Sequence, residues 1–260
     1  MSHYAVVVIH RDNQFIDDLL APYDENMPVE PYLLVTKEEI MQQAIERRDD
    51  AIYDIKHNTA EAINCMWWFD KHISALTDEE LYLAEIDYQG YRQLDDDGNA
   101  YSDYNPESKW DWWVEGGRFC DFLKLKQHAI DPEYPDCDTT YQALFTDIDF
   151  STDQEAYENA LEFWDECVDG TKDSTFYTKD YYKTYYHDRE TYAQYTAQFG
   201  SYAVITPDGV WHAPGNMGWF ACSDETPEAL RDWNEHYYER FIKPYLEDES
   251  MMITVVDCHI

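Results

Sequence analysis

The sequence predicts an α+β fold: a central mixed or antiparallel sheet that includes both chain ends, packed by amphipathic helices, with an acidic helical insertion. Three observations predict it. Tyr4–Ile9 and Met251–Val256 are short apolar runs rich in β-branched residues, so each reads as a buried strand. Tyr202-Ala203-Val204-Ile205 echoes Tyr4-Ala5-Val6-Val7, as paired strands of one sheet would. Thr36-Lys37-Glu38-Glu39 and Thr226-Pro227-Glu228 are helix starts, the first a capping box and the second with Pro at the first helical position. At 260 residues the chain can bury a sizeable core. Composition divides it into an N-terminal part (1–126), an acidic, tyrosine-rich insertion (127–199) and C-terminal strands and helix (200–260) that complete the same sheet in one compact unit.

Arg11-Asp12-Asn13 closes the first strand, and Phe15–Leu20 reads as a brief helical turn. Prolines 22, 28 and 31 are expected to hold the next segment extended, placing Asp24, Glu25 and Asn26 on an ordered loop. Behind Thr36, Ile40, Met41, Ala44 and Ile45 begin an apolar stripe. Ile52, Ile55, Ala62, Ile63 and Met66 continue it towards Trp67, with a break expected near Asp49-Asp50 or His57-Asn58. Thr77-Asp78-Glu79-Glu80 can cap a further turn, after which Leu81–Tyr88 alternates as a strand would. Asp95-Asp96-Asp97-Gly98-Asn99 fails as a calcium loop, because ligand positions one and twelve would fall on Gln93 and Tyr104; Asp-Gly fits a hairpin tip. Phe119–Leu125 reads as another strand.

Asp153–Val168 is expected to be a helix capped by Ser151 or Thr152. Tyr157, Ala160, Leu161, Trp164 and Val168 make its apolar stripe, while Glu155, Glu158, Glu162, Asp165, Glu166 and Asp169 populate the other side. Like charges at that spacing cost roughly 0.2–0.5 kcal/mol per pair when nothing compensates them. Gly170–Gly200 is a tyrosine-rich, helical stretch. Pro207-Asp208-Gly209 then turns the chain into Val210-Trp211-His212, and Leu230, Trp233, Tyr237, Phe241 and Ile242 form the buried stripe of the last helix.

Charge separates the function classes. Eighteen Lys and Arg against 55 Asp and Glu leave a formal net charge of −37, yet 44% apolar and 17% aromatic residues argue for a folded chain. Such a body repels nucleic acid and anionic membranes and attracts basic surfaces, so the expected partner is a basic nucleic-acid-binding protein, with no direct nucleic-acid binding and no membrane contact. The six cysteines show no Cys-x-x-Cys pair or zinc spacing, which fits reduced cytosolic thiols. The N-terminal apolar run is too short for a signal peptide or a span, so a cytoplasmic protein is expected. A Walker loop, a dinucleotide Gly-x-Gly-x-x-Gly and a His-Glu-x-x-His are all missing, and no cofactor or metal is expected.

One stretch concentrates candidate chemistry: Asn105-Pro106-Glu107-Ser108-Lys109-Trp110-Asp111-Trp112-Trp113-Val114-Glu115-Gly116-Gly117-Arg118. Its glycines allow positive φ or a close approach, and Arg118 beside Trp110 and Trp112 could hold a small anion or a nucleobase; a tryptophan-plugged core is the competing reading. Near the end, Asp257-Cys258-His259 follows a strand. Cys258 and His259 would point to opposite faces, so His259 needs a partner such as Asp24, Glu25 or Asp111. Asn105–Arg118, Pro22-Tyr23-Asp24-Glu25-Asn26, Val256-Asp257-Cys258-His259-Ile260, Asp208-Gly209-Val210-Trp211 and Met217-Gly218-Trp219 together resemble a largely uncharacterised family of phage and mobile-element proteins. That resemblance implies an origin and carries over no reaction. Charge and origin together lead to the expectation of an acidic inhibitor, more a binding protein than an enzyme, that occupies the groove of a host restriction or CRISPR effector by nucleic-acid mimicry through Glu155, Glu158, Glu162, Asp165, Glu166 and Asp169. The alternative is an enzyme or small-molecule-binding protein with a pocket of Asp24, Glu25, Asn26, Trp110, Asp111, Arg118 and His259. Convergence of those stretches would favour the pocket, and one contiguous acidic face would favour mimicry.

Overall fold

A computed structural model describes residues 2–57, 76–173, 177–218 and 222–260. The fold is α+β. In chain order its strands are β1 (His3–Arg11), β2 (Tyr32–Val35), β3 (Gln93–Leu94), β4 (Ala100–Ser102), β5 (Trp112–Glu115), β6 (Leu123–Lys124), β7 (Thr139–Thr140), β8 (Gln142–Leu144), β9 (Ala203–Ile205), β10 (Trp211–His212) and β11 (Met251–His259). The helices are α1 (Ile16–Leu20), α2 (Lys37–His57), α3 (Asp78–Gln89), α4 (Gln154–Phe163), α5 (Lys179–Tyr186), α6 (Arg189–Ala197) and α7 (Pro227–Tyr237).

By internal packing the chain divides into two units, residues 1–27 with 106–260, and residues 28–105. These boundaries differ from those that composition suggested at 126/127 and 199/200. The reason is that 28–105 has apolar clusters of its own, Ala44, Ala51 and Leu81 in one and Val35, Ile40 and Ala100 in another.

In the larger unit the two chain ends form the centre of a mixed sheet, ordered β10-β9-β1-β11-β5, with β8 also on β11. β1 and β11 run antiparallel in unbroken register from His3↔His259 to Arg11↔Met251. Both are buried on two faces, which is why each reads as a continuous apolar run instead of an alternating one. Ala5, Val7, Ile9, Ile253 and Val255 pack with Trp233, Tyr237 and Phe241 on one side. Tyr4, Val6, Val8, Val256 and Cys258 pack with Ile16, Leu20 and Trp110 on the other. β9 lies parallel to β1 through Val6↔Ala203, Val7↔Val204 and Val8↔Ile205, so the echoed sequences are indeed neighbouring strands. Gly209, at φ 81°, turns β9 back into β10. The outer edge of β11 is shared: β5 covers Val256–His259 and β8 covers Met252–Thr254.

His10 is buried in this sheet. Its Nε2 is 2.9 Å from Thr254 Oγ1 and its Nδ1 2.9 Å from the Arg11 carbonyl, and burial lowers its pKa. A histidine depressed in the folded state favours folding fully above its ordinary value of about 6.5, and that contribution is lost as pH falls towards the folded value. Denaturant midpoints should therefore drop on going from about pH 7.5 to pH 5.5, and His10→Gln should flatten that slope. An unchanged slope would remove His10 as its source.

The smaller unit holds a three-stranded sheet, β2-β4-β3, with α2 and α3. The Thr36 capping box is formed: the Thr36 amide donates to Glu39 Oε2 at 2.8 Å and the Glu39 amide to Thr36 Oγ1 at 3.3 Å. Asp95–Asn99 is the β3–β4 hairpin tip, with Gly98 at φ 88° and Asp95 Oδ1 accepting from the amides of Asp97 and Asn99.

Several local expectations are corrected. Leu81–Tyr88 belongs to helix α3: Thr77 and Glu80 cap it reciprocally, Leu81 and Glu85 bury the same face one turn apart, and Gly90 ends it at φ 73°. The apparent alternation is outweighed by those end signals. α2 runs unbroken through Asp49-Asp50, since both side chains are exposed and Ala44 and Ala51 stay on the buried face. Pro22 lies in a 3₁₀ turn, Ala21–Tyr23, because its fixed φ suits a turn start as well as an extended chain. Between Phe119 and Leu125 only Leu123–Lys124 is a strand, after a 3₁₀ turn over Gly117–Phe119. The cap of α4 is Asp153, whose carboxylate accepts from the Ala156 amide at 3.0 Å, in place of Ser151 or Thr152. α4 ends at Phe163 and continues as a wider π turn, Trp164–Val168. The Ile55 side chain, the break at His57-Asn58, Ala62, Ile63, Cys65, Met66, Trp67 and Trp219 lie outside the described residues.

Candidate functional site

Strand register builds a cluster at one end of the central sheet. His3 on β1 is paired with His259 on β11, which is paired with Trp112 on β5. Residues directly opposite one another share a face, and so do Asp257 and His259, two apart on one strand. Four polar or aromatic side chains therefore converge where the apolar core stops. His3 Nδ1 lies 2.8 Å from Asp257 Oδ1, and His259 Nδ1 lies 2.6 Å from Asp111 Oδ1. The imidazoles of His3 and His259 meet edge to face at 5.0 Å, and the indole of Trp112 stacks on His259 at 5.0 Å and 14°.

Asp257 is held on both sides. Its side chain is 3% exposed, and its Oδ2 accepts the Arg118 backbone N–H at 3.1 Å. Gly116 and Gly117 adopt φ 63° and 51°, and a Cβ on Gly117 would lie 2.6 Å from Asp257 Cβ and 2.7 Å from its Oδ2. The Gly-Gly-Arg sequence thus meets both conditions read from it, positive φ and a close approach. A buried carboxylate that fixes one imidazole nitrogen is the orienting half of an acid–base pair. The His3 ring has its second nitrogen unpartnered among the described residues, and its side chain keeps 12% exposure. His259 Nε2 is buried and also has no partner. Cys258 points into the opposite core, where burial raises its thiol well above the ordinary value, so it supplies no thiolate.

The three stretches of the anticipated pocket meet through their backbones. The Glu25 amide donates to the Trp110 carbonyl at 3.0 Å, the Lys109 amide to the Tyr23 carbonyl at 2.8 Å, and the Asp111 amide to the His259 carbonyl at 3.0 Å. Asp24 and Asn26 form a local turn, with Asp24 Oδ1 accepting from the Asn26 amide at 2.8 Å. The side chains diverge: Trp110 is buried in the core opposite His3, whereas Arg118 is exposed and makes no ion pair among the described residues. His3 carried no signal in the sequence, because only the β1–β11 register places it beside Asp257. Asp257 and His259 were expected just past the last strand; β11 runs on through His259, which puts both on one of its faces.

The acidic segment is a second candidate surface. All six named carboxylates are exposed, and their three- and four-residue spacing aligns them along one side of α4 and its π extension. Cations cover half of them. Arg189 binds Asp165 through two nitrogens at 2.7 and 2.8 Å, Lys172 lies 2.5 Å from Glu166 and Lys183 3.0 Å from Asp169. Bonds from Lys183 and the Trp164 indole hold the Asp169 carboxyl below its ordinary range. Glu155, Glu158 and Glu162 have no ion pair among the described residues, and of the three Glu162 lies within electrostatic reach of Lys172.

Among the described residues no three His, Cys, Asp or Glu side chains converge so as to hold a metal ion, and no helix is long and apolar enough to cross a membrane. Comparison with protein-family models, curated proteins and solved structures finds no match to this chain.

Proposed function

We propose that the protein is an acidic inhibitor, encoded by a phage or mobile element, that binds a basic nucleic-acid-binding defence protein of the host, a restriction or CRISPR effector, by presenting carboxylates where phosphates would lie. The observation that carries this reading is the run of Glu155, Glu158 and Glu162, exposed on one helix side and without an ion pair among the described residues, in a chain of net charge −37. Residues 127–171 contain thirteen Asp and Glu and no Lys or Arg, so that surface has no cation of its own sequence to quench it. At about 1.5 Å per residue the helix side from Glu155 to Asp169 spans roughly 21 Å. That matches about six base pairs of duplex, along which DNA presents one negative charge per 1.7 Å or so of axis.

The test is binding to the effector captured from host lysate, measured at low and high salt. Lys in place of Glu155, Glu158 and Glu162 together should weaken the complex at least about tenfold, and rising salt should release the wild type. Reversing Asp165 should matter less to binding, because Arg189 already occupies it. A complex that survives high salt, or ignores the triple reversal, sinks the reading.

A second reading is favoured by one observation, the joining of 23–26, 109–118 and 257–259 around the His3–Asp257 and His259–Asp111 pairs. On this reading His3 transfers protons to a small molecule, Asp257 positions it, and the 44% exposed Trp112 offers a ring to stack on.

A further inference from the structure

A cavity of about 950 Å³ opens in the larger unit, far along β1 from His3, beside the ends of β1 and β9, the β10 strand and helix α7. Trp233, Phe241 and Tyr245 line it from the sheet face that His212 shares, while the Trp211 ring packs on the opposite face, and its volume suits a molecule of nucleotide or drug size. Neither reading above uses it.

Arg11, Thr206, Asp208, His212, Asp232 and Arg240 also line it, and they differ in how far they are already committed. Arg240 is spent on Asp232, two nitrogens at 2.7 and 3.0 Å. Arg11 is not. Its Nη1 alone reaches Asp248, at 3.3 Å, and Ser250, at 2.9 Å, so Nε and Nη2 have no partner among the described residues. A guanidinium with an open edge binds a carboxylate or phosphate through two parallel bonds. His212 is prepared differently. Thr206 Oγ1 donates to Asp208 at 2.6 Å and lies 3.2 Å from His212 Nε2, so the imidazole N–H at Nε2 points to the threonine and Nδ1 is left as an acceptor. Burial lowers the pKa of His212, which keeps the ring neutral in that role.

We infer that this cavity binds a small planar aromatic molecule carrying one oxyanion, with the oxyanion on the open edge of Arg11, the ring against the Phe241–Tyr245 wall and a ring N–H or O–H on His212 Nδ1. The charge balance narrows the class further. With 55 acids to 18 cations, a polyanion is repelled from the whole body, whereas one anionic group can be met by one arginine. The oxyanion can be a phosphate, as in a nucleoside monophosphate, or a carboxylate, as in an aromatic acid; the contacts are the same.

Calorimetric titration of the full chain with adenosine monophosphate and with indole-3-acetate separates the two sources, adenosine and indole serving as uncharged comparators. At least one anionic probe is expected to bind with Kd on the order of 0.1 mM or tighter, and about tenfold or more tightly than its comparator. Arg11→Ala should erase that difference while leaving the fold intact, since its ion pair is exposed. Ala229→Trp, which fills the cavity from the first turn of α7, should remove binding altogether. Silence from both anionic probes up to about 5 mM, or an Arg11→Ala variant that binds as tightly as wild type, would overturn the assignment.

Discussion

Replacing Arg47 by Met is expected to destabilise the 28–105 unit by about 3–5 kcal/mol, the largest effect of any single surface-reaching side chain there. Glu85 is fully buried on α3, 0% exposed, and its carboxylate is bound by Arg47 Nε and Nη2 at 3.0 Å each and by Gln89 Nε2 at 2.8 Å. Removing the arginine strands a charge in an apolar setting that one amide cannot compensate. The guanidinium also covers the Tyr88 ring at 3.9 Å, so some packing is lost with it. Arg47→Met combined with Glu85→Met removes the stranded charge together with its partner and should recover most of the loss. Urea unfolding followed by circular dichroism reads both variants. If Arg47→Met costs less than about 1 kcal/mol, the pair is a surface ion pair in energetic terms and the buried-charge account fails.

Gly117→Ala is expected to cost about 3 kcal/mol and to disorganise the His–Asp cluster. Two penalties add at this position. The backbone sits at φ 51°, and the new methyl would fall 2.6 Å from Asp257 Cβ and 2.9 Å from Val114 Cγ1, both held in the sheet. Gly90 separates the terms, because at φ 73° a Cβ there meets nothing within 4 Å; Gly90→Ala should cost only about 1 kcal/mol. The imidazole proton and nitrogen resonances of His3 should shift in Gly117→Ala as Asp257 is displaced, and stay in place in Gly90→Ala. Equal costs for the two substitutions would mean that Asp257 is not pinned by the close approach of Gly117. If His3→Gln also leaves every ligand-induced change intact, the acid–base reading goes, and the charge-reversal experiment alone decides the function.

Much of the fold was legible because its signals are local. Thr36 and Thr226 each announce a helix within four residues, and the two long strands leave apolar runs, Tyr4–Ile9 without a break and Met251–Val256 broken only by Thr254. The misreadings share a cause. Leu81–Tyr88 satisfies both an alternating and a helical period over so short a span, and only the caps at Thr77 and Gly90 settle it. Asp153 won the cap of α4 from Ser151 and Thr152 by two residues of chain geometry, a choice that composition does not encode.

The candidate sites divide in the same way. The acidic stripe of α4 follows from helical spacing, and so does its exposure. Its partial neutralisation does not, because Arg189 and Lys183 reach Asp165 and Asp169 only once α5 and α6 fold back beside the π turn. By itself the sequence determined the α+β class, the strands at both chain ends and the acidic helix. Tertiary structure alone decided that β1 and β11 align in the register that sets His3 against Asp257, that Trp110 and Trp112 take opposite sides of the sheet, and that an arginine with an open edge lines a cavity of about 950 Å³. The physical reason is range: caps, periodicity and charge act over a few residues, whereas register and cavity walls join side chains that lie up to about two hundred and fifty positions apart in the chain.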